Sequence, residues 1–396
     1  MNKKIYLTGA VRTPIGSLNG ILAPVTAVTL GVISVKETIL RGGIDARAVD
    51  EVIMGNVLQA GQGQNPARQI AIGCGLEQTV PSYTVNMVCG SGMKAVELAF
   101  QNILAGHASC IIAGGTESMT NAPYLLSAMR GGARCGHASA DDSVVLDGLT
   151  DVFGKYHMGI TAENIAERYG ISRAEQDAYA CESQKRYAAA AEKGLFNNEI
   201  VPVEYLKRKE KITVSKDEHP RPETNMQILA GLKPAFKKDG TVSAGNSSGI
   251  NDGAASLIVC NDQFASENGI AENKFVQILD AVSVGCDPAF MGLGPVYAVK
   301  KILERNKLTA GDIGMWELNE AFAAQAIAVL KELNLSDEKV NTGGGAIALG
   351  HPIGASGCRI IVTLMYHMKR TGTEFGIASL CVGGGMGLAV LLKNCG

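Results

Sequence analysis

Neither sign of charge dominates this chain of 396 residues: 36 Lys and Arg face 38 Asp and Glu, a formal net charge of −2. That balance excludes a general attraction to nucleic acid or to an anionic membrane, so any anionic ligand must be held by a local cluster. No stretch reaches the roughly 18 uninterrupted apolar residues of a membrane span. The opening residues, Met1-Asn2-Lys3-Lys4-Ile5-Tyr6-Leu7, lack the apolar core and cleavage site of a signal peptide and pass at once into a strand-like segment, so a cytoplasmic protein is expected. No Gly-rich loop ends in Gly-Lys-Ser/Thr, which removes the nucleotide P-loop. Cys135-Gly136-His137 has no second ligand pair at zinc-site spacing, so no metal is expected. Gly245-Asn246-Ser247-Ser248-Gly249 fits the G-x-S-x-G hydrolase pattern, but a nucleophile elbow needs a strand before it and a helix after it. Here a polar stretch precedes and a strand-like run follows, so no nucleophilic serine is expected.

Tryptophan occurs once, whereas glycine occurs 48 times, which predicts many tight turns and close backbone approaches. The 10 cysteines are spread through a long chain, often inside apolar runs such as Ser109-Cys110-Ile111-Ile112. That distribution fits reduced intracellular thiols better than a disulfide framework. Length and composition allow two to three domains with a large core.

Strand-like and helix-like segments alternate, which predicts an α/β fold. Glu51-Val52-Ile53-Met54 and Thr84-Val85-Asn86-Met87-Val88 read as strands, the second ending just before Cys89. Met93, Val96, Phe100, Ile103 and Leu104 then recur at helical spacing, opposite a polar stripe of Lys94, Glu97 and Gln101, and Gly106 stops the helix. Cys110-Ile111-Ile112-Ala113 reads as a buried strand closed by Gly114-Gly115. The two ends of the chain resemble each other, the first two matches at an offset of roughly 263 residues, the mark of a duplicated unit. Val52-Ile53-Met54-Gly55-Asn56 parallels Met315-Trp316-Glu317-Leu318-Asn319. Cys89-Gly90-Ser91-Gly92 parallels Gly354-Ala355-Ser356-Gly357, and Gly253-Ala254-Ala255 parallels Gly387-Leu388-Ala389. The expected division is 1–120 with 244–272 for the first half, 273–396 for the second, and an insertion at 121–243. The insertion holds a helix that opens on a Ser172-Arg173-Ala174-Glu175 capping box, and a basic, hairpin-like tail from Lys207 to Arg221.

Cys89 stands where a strand meets a helix, and a thiol there feels the positive end of the helix dipole, which favours thiolate. The alternative is a core cysteine in a tight turn. His351, in Gly350-His351-Pro352, is kept out of helical geometry by the proline and lies beside the turn that repeats the Cys89 turn. If the halves pack symmetrically, both helix starts face one crevice, and Cys with His is the minimum for an activated thiol. Cys381 ends an apolar strand before Gly383-Gly384-Gly385, a turn whose N–H groups can hold an oxyanion. Asn319 sits at a strand-to-helix corner, where a helix cap is the plain alternative.

Together Val88-Cys89-Gly90-Ser91-Gly92, Asn319-Glu320-Ala321-Phe322, Gly350-His351-Pro352-Ile353-Gly354-Ala355-Ser356-Gly357 and Cys381-Val382-Gly383-Gly384-Gly385-Met386-Gly387 resemble the signatures of the thiolase family, in the family's order and across the whole chain. The resemblance implies a thiolase-like fold: two βαβαβαββ-type halves with five-stranded mixed sheets, layered α/β/α/β/α, plus an inserted loop domain. It implies that Cys89 is the acyl-accepting nucleophile and that His351 activates it and helps bind the thioester oxygen. Cys381 becomes the acid/base on the α-carbon of the second acyl group. Asn319 holds a water in one oxyanion hole, and the N–H groups of Cys89 and Gly383 form the other. Tyr156-His157-Met158-Gly159 resembles the short-chain, acetoacetyl-CoA-specific branch, where His157 and Met158 narrow the acyl pocket. Ser248 matches the serine that contacts pantetheine, Arg221 falls where a basic residue meets the CoA phosphate, and Leu149 matches a position near the ligand. Pro222 after Arg221 departs from the pattern. The implied substrates are acetyl-CoA, acetoacetyl-CoA and CoA, with no resident cofactor, and the implied assembly is a homotetramer with 130–137 as a contact loop. Rival readings are a broad-chain 3-ketoacyl-CoA thiolase of β-oxidation, a decarboxylating ketoacyl synthase, and a non-catalytic acyl-CoA-binding protein.

Overall fold

The computed structural model describes residues 3–271 and 275–395. The expected division between residues 272 and 273 lies outside the described residues, as do Met1, Asn2 and Gly396.

The main strands are β1 (Ile5–Arg12), β2 (Glu51–Gly55), β3 (Ser82–Val85), β4 (Cys110–Ser118), β5 (Asn251–Asn261), β6 (Val276–Gly285), β7 (Met315–Leu318), β8 (Phe375–Val382) and β9 (Met386–Asn394). The longer helices are α1 (Ala27–Gly42), α2 (Pro66–Gly73), α3 (Ser91–Ala105), α4 (Met158–Tyr169), α5 (Arg173–Glu192), α6 (Gly294–Asn306), α7 (Ala323–Leu333) and α8 (Ile353–Thr371). The strands follow one path, β7-β8-β9-β6-β1-β5-β4-β2-β3, in which β2 is parallel to β3 and β4, β7 is parallel to β8, and the other neighbours are antiparallel.

The duplication is visible in that order. Reading inward from either end gives the same succession of strands, with β1, β5, β4 and β2 answered by β6, β9, β8 and β7. The first half supplies five strands; the second supplies four and, at the fifth position, a single bridge from Val340 to Trp316. The halves also join edge to edge, where Ile5, Tyr6 and Leu7 pair with Ile278, Gln277 and Val276. That pairing occupies backbone groups that two separate sheets would leave on open edges.

Helices α3 and α8 lie side by side between the two halves: α3 packs on β2, β4 and β5, and α8 on β5, β4, β7 and β8. Helices α1 and α2 cover the outer face of the first half, and α6 with α7 that of the second, giving alternating layers of helix and sheet. The middle layer explains one departure from the expected pattern. Met93, Val96, Phe100 and Ile103 are buried, but Leu104 is exposed, and of the polar stripe of α3 Gln101 is exposed, Lys94 half-buried and Glu97 buried. Glu97 is buried, paired with Lys94 Nζ at 3.1 Å and accepting from Ser283 Oγ of β6 at 2.6 Å. A helix enclosed on both sides needs partners for its polar face as well as its apolar one.

Two strand expectations also shift. The strand expected through Val88 ends at Val85, and the strand expected to close at Gly114-Gly115 runs on to Ser118. At Gly115 a Cβ would stand 2.1 Å from the Gly354 carbonyl oxygen, so glycine there lets α8 approach the strand instead of ending it. Between β4 and β5 the insertion contributes α4, α5 and the hairpin Val203–Lys207/Glu210–Val214, with both capping-box bonds formed at Ser172 and Glu175. Among the described residues no helix is long and apolar enough to cross a membrane.

Candidate active site

Cys89 occupies a strained corner between β3 and α3. The chain reverses through Val88, whose φ is 45°. Such a conformation in a β-branched residue costs about 1–3 kcal/mol and persists only where neighbours over-determine it. Here they do. Asn86 Oδ1 accepts the Val88 N–H at 2.9 Å, the Val88 carbonyl accepts from Ser91 Oγ at 2.6 Å and Ser91 N at 3.1 Å, and Ser91 Oγ accepts the Met87 N–H at 2.9 Å. The turn aims Cys89 across the interface between the halves. There the backbone N–H of Gly383 is close enough to favour its thiolate, as is its own N–H.

From the second half, β8 brings Cys381 to the same place, 1 % exposed and close enough for a charge on Cys89 to act on it. His351 precedes α8, and its N–H donates to Asn251 Oδ1 at 2.8 Å. Its Nδ1 lies 2.6 Å from Ser356 Oγ, and its Nε2 lies 3.5 Å from Asn319 Nδ2. Asn319 is not a helix cap: α7 starts at Ala323, and Asn319 is held in the core by its N–H on the Ser379 carbonyl at 3.0 Å. Among the described residues its Oδ1 has no hydrogen-bond partner.

The insertion closes the pocket. His157 caps α4, its Nδ1 accepting the Gly159 N–H at 3.0 Å, and its ring stacks on Phe236 at 4.6 Å. Phe236 meets Phe322 edge-on at 6.0 Å. Met158 is buried in one apolar cluster with Cys381, Met291, Ala321 and Phe322. Leu149 and Cys89 both pack against another cluster, which includes Val57, Val144 and Ile353. Ser248 reaches the same region through its N–H, which donates to the Ala321 carbonyl at 3.0 Å. The loop around Gly245 leads directly into β5, without the helix that a serine elbow requires. Arg221 is exposed, anchored through its N–H on Gln184 Oε1 at 2.9 Å; it is two residues from His219, whose ring abuts Gly249. It therefore stands at the rim and not among the groups around Cys89.

The electrostatics correct one expectation. A helix start lowers a nearby thiol by about one pKa unit, whereas full burial raises it by up to about 3–5. Desolvation prevails although Cys89 is only half-buried: its thiol is pushed up to about 11, against the pull of the N–H groups of Gly383 and Cys89 itself, and the Glu117 charge adds to the rise. Burial likewise raises Cys381. It pushes His351 down to about 3, with Arg359 adding to the fall. At neutral pH Cys89 thus rests as a thiol and His351 as a neutral imidazole, not as thiolate and imidazolium. A thiol and a neutral imidazole brought together can exchange a proton when substrate arrives, and backbone N–H groups can receive an oxyanion. Among the described residues no cluster of three His, Cys, Asp or Glu could hold a metal ion.

Phe236, Phe322, Met291 and Ser356 belong to this site, but the sequence alone assigns them no role. Phe322 and Ser356 lie inside the signature motifs, so their position is the signal that could have pointed to them. Phe236 and Met291 carry no local signal and become neighbours only through the fold.

Comparison with known proteins agrees along the whole chain. The family described as "Thiolase, N-terminal domain" matches residues 5–263, and "Thiolase, C-terminal domain" matches residues 273–394. A curated relative from Staphylococcus aureus (strain COL), "Probable acetyl-CoA acyltransferase", is 52% identical over 393 residues, covering 99% of each chain. The solved acetyl-CoA acetyltransferase of Bacillus anthracis superposes with a TM-score of 0.97 at 44% identity, covering 99% of this chain and 100% of that one. Human mitochondrial 3-ketoacyl-CoA thiolase superposes with a TM-score of 0.96 at 39% identity, covering 100% of this chain and 99% of the other.

Proposed function

The chain belongs to the thiolase family of acyltransferases, and from that premise we propose that it is an acetyl-CoA C-acetyltransferase, interconverting two acetyl-CoA with acetoacetyl-CoA and CoA through an acetyl-Cys89 thioester. What supports this reading is that Cys89 and Cys381 act on each other beside Gly383, with His351 next to Asn319 at the start of α8 and with His157, Phe236 and Met158 on the side proposed for the acyl group.

In the synthetic direction His351 Nε2 takes the Cys89 proton as the sulfur attacks the acetyl-CoA carbonyl. The N–H groups of Cys89 and Gly383 receive the oxyanion. CoA departs with the Cys381 proton, leaving a thiolate on Cys381. That thiolate removes the α-proton of the second acetyl-CoA. The same burial that raises the Cys381 thiol makes its anion a strong base, which this weakly acidic C–H requires. Protonated His351 and the water held by Asn319 stabilise the enolate oxygen while the carbanion attacks acetyl-Cys89. Cys89 then leaves and recovers its proton from His351. Ser248 and Arg221 serve the pantetheine arm and the CoA phosphate, and Leu149 the mouth of the acyl pocket. The cytoplasmic location, the homotetramer and the division into 1–120 with 244–272, 121–243 and 273–396 are parts of the same proposal.

A broad-chain 3-ketoacyl-CoA thiolase is the second reading, favoured by the likeness to the human mitochondrial enzyme. Thiolysis rates on acetoacetyl-CoA and on a ten-carbon 3-ketoacyl-CoA separate the two. Preference for acetoacetyl-CoA supports the proposal, and equal or greater turnover of the longer chain overturns it.

A further inference from the structure

Cys381 has a counterpart in the first half, and it is a carboxylate. Glu117 pairs with Gly253 across β4 and β5 as Cys381 pairs with Gly387 across β8 and β9. Gly55 pairs with Gly115 as Leu318 pairs with Ser379, which makes Asn56 the counterpart of Asn319. By the repeat of the two helix starts, Gly354 is the counterpart of Cys89. The second crevice that this symmetry predicts is filled. Glu117 is buried, and its Oε2 accepts the N–H of Gly354 at 2.9 Å and of Val57 at 3.0 Å. Its Oε1 accepts the N–H of Leu58 at 3.2 Å and Asn56 Nδ2 at 2.9 Å.

We infer that Glu117 is a positioning residue of this site: its carboxylate locks the start of α8, three residues after His351, and places a negative charge behind Cys89. The inference rests on the roles proposed above for Cys89 and His351. Four donors on one carboxylate tie the α8 start to the loop after β2, so the backbone that carries His351 cannot drift from the Cys89 corner. The charge acts on the thiol directly. A carboxylate near a thiol disfavours thiolate, so Cys89 keeps its proton until His351 accepts it. The other charged group acting on Glu117 is Asp252 of β5, which raises it further; burial raises it most, to about 7, against the pull of the N–H donors.

The test compares full-length wild type with Glu117→Gln and Asn56→Ala, measuring acetoacetyl-CoA thiolysis, Cys89 alkylation by iodoacetamide against pH, and acetylation by acetyl-CoA. Glu117→Gln should lower kcat at least about tenfold with KM within about twofold. It should also move the alkylation midpoint down by about half a pH unit or more, because a negative charge is lost. Asn56→Ala keeps that charge and loses one donor, so kcat should fall at least about threefold while the midpoint stays. A Glu117→Gln kcat within about twofold of wild type, or a midpoint that does not fall, overturns the inference. If Glu117→Gln does not fold, an Asn56→Ala kcat equal to wild type overturns it. Wild type that takes no acetyl group overturns the reading of Cys89 instead, so the two failures are distinguishable.

Discussion

Ser356 Oγ lies 2.6 Å from His351 Nδ1 and 3.0 Å from the Pro352 carbonyl. The hydroxyl has one proton, and the carbonyl can only accept, so that proton goes to Pro352. Ser356 therefore accepts from Nδ1–H, and Nε2 keeps its lone pair toward the crevice. Ser356→Ala removes this choice of tautomer. We expect kcat to fall by roughly 10- to 100-fold with KM for acetoacetyl-CoA nearly unchanged. Steady-state thiolysis kinetics check this, and an unchanged kcat contradicts it.

Cys89 at about 11 and His351 at about 3 dictate a pH dependence. The sign is that of a raised thiol: the thiolate fraction grows about tenfold per pH unit below its pKa. Iodoacetamide alkylation of Cys89 should climb steadily from about pH 6 to about pH 9. A resting thiolate–imidazolium pair would instead give a rate already level across that range. Stopped alkylation time courses followed by peptide mapping distinguish the two.

The His157–Phe236 stack and Met158 limit the acyl pocket. Met158→Ala should shift kcat/KM toward six- and eight-carbon 3-ketoacyl-CoA relative to acetoacetyl-CoA by roughly tenfold, the scale of one or two methylenes in an apolar pocket. An unchanged chain-length profile would place the limit elsewhere.

Helices α3 and α8 cross where a Cβ on Gly357 would stand 2.4 Å from the Met93 backbone nitrogen. Backbone cannot yield as a flexible side chain can. Gly357→Ala should destabilise the fold by about 1–3 kcal/mol, read as a lower urea midpoint at unchanged slope.

Much of this site is legible in the sequence. Cys89, His351 and Cys381 each sit in a glycine- or proline-marked turn, and the repeat between the halves gives those turns a reason to meet. The duplicated fold follows from the same repeat. What escapes is what depends on enclosure. The acidity of Cys89 is misjudged because a helix start is visible in sequence and the depth of burial is not. Glu97 looks like part of a solvated stripe because nothing local says that α3 has a second half above it. Phe236 and Met291 are ordinary apolar residues until the insertion folds over Cys381. Glu117 becomes informative only when strand register shows which residue it replaces.

Intact-mass analysis after mixing with acetyl-CoA tests the central claim most directly. Wild type and Cys381→Ser should each carry one acetyl adduct, and Cys89→Ala none, while Cys381→Ser should lose carbon–carbon bond formation far more than acetylation. An acetyl adduct on Cys89→Ala, or none on wild type, would contradict the account.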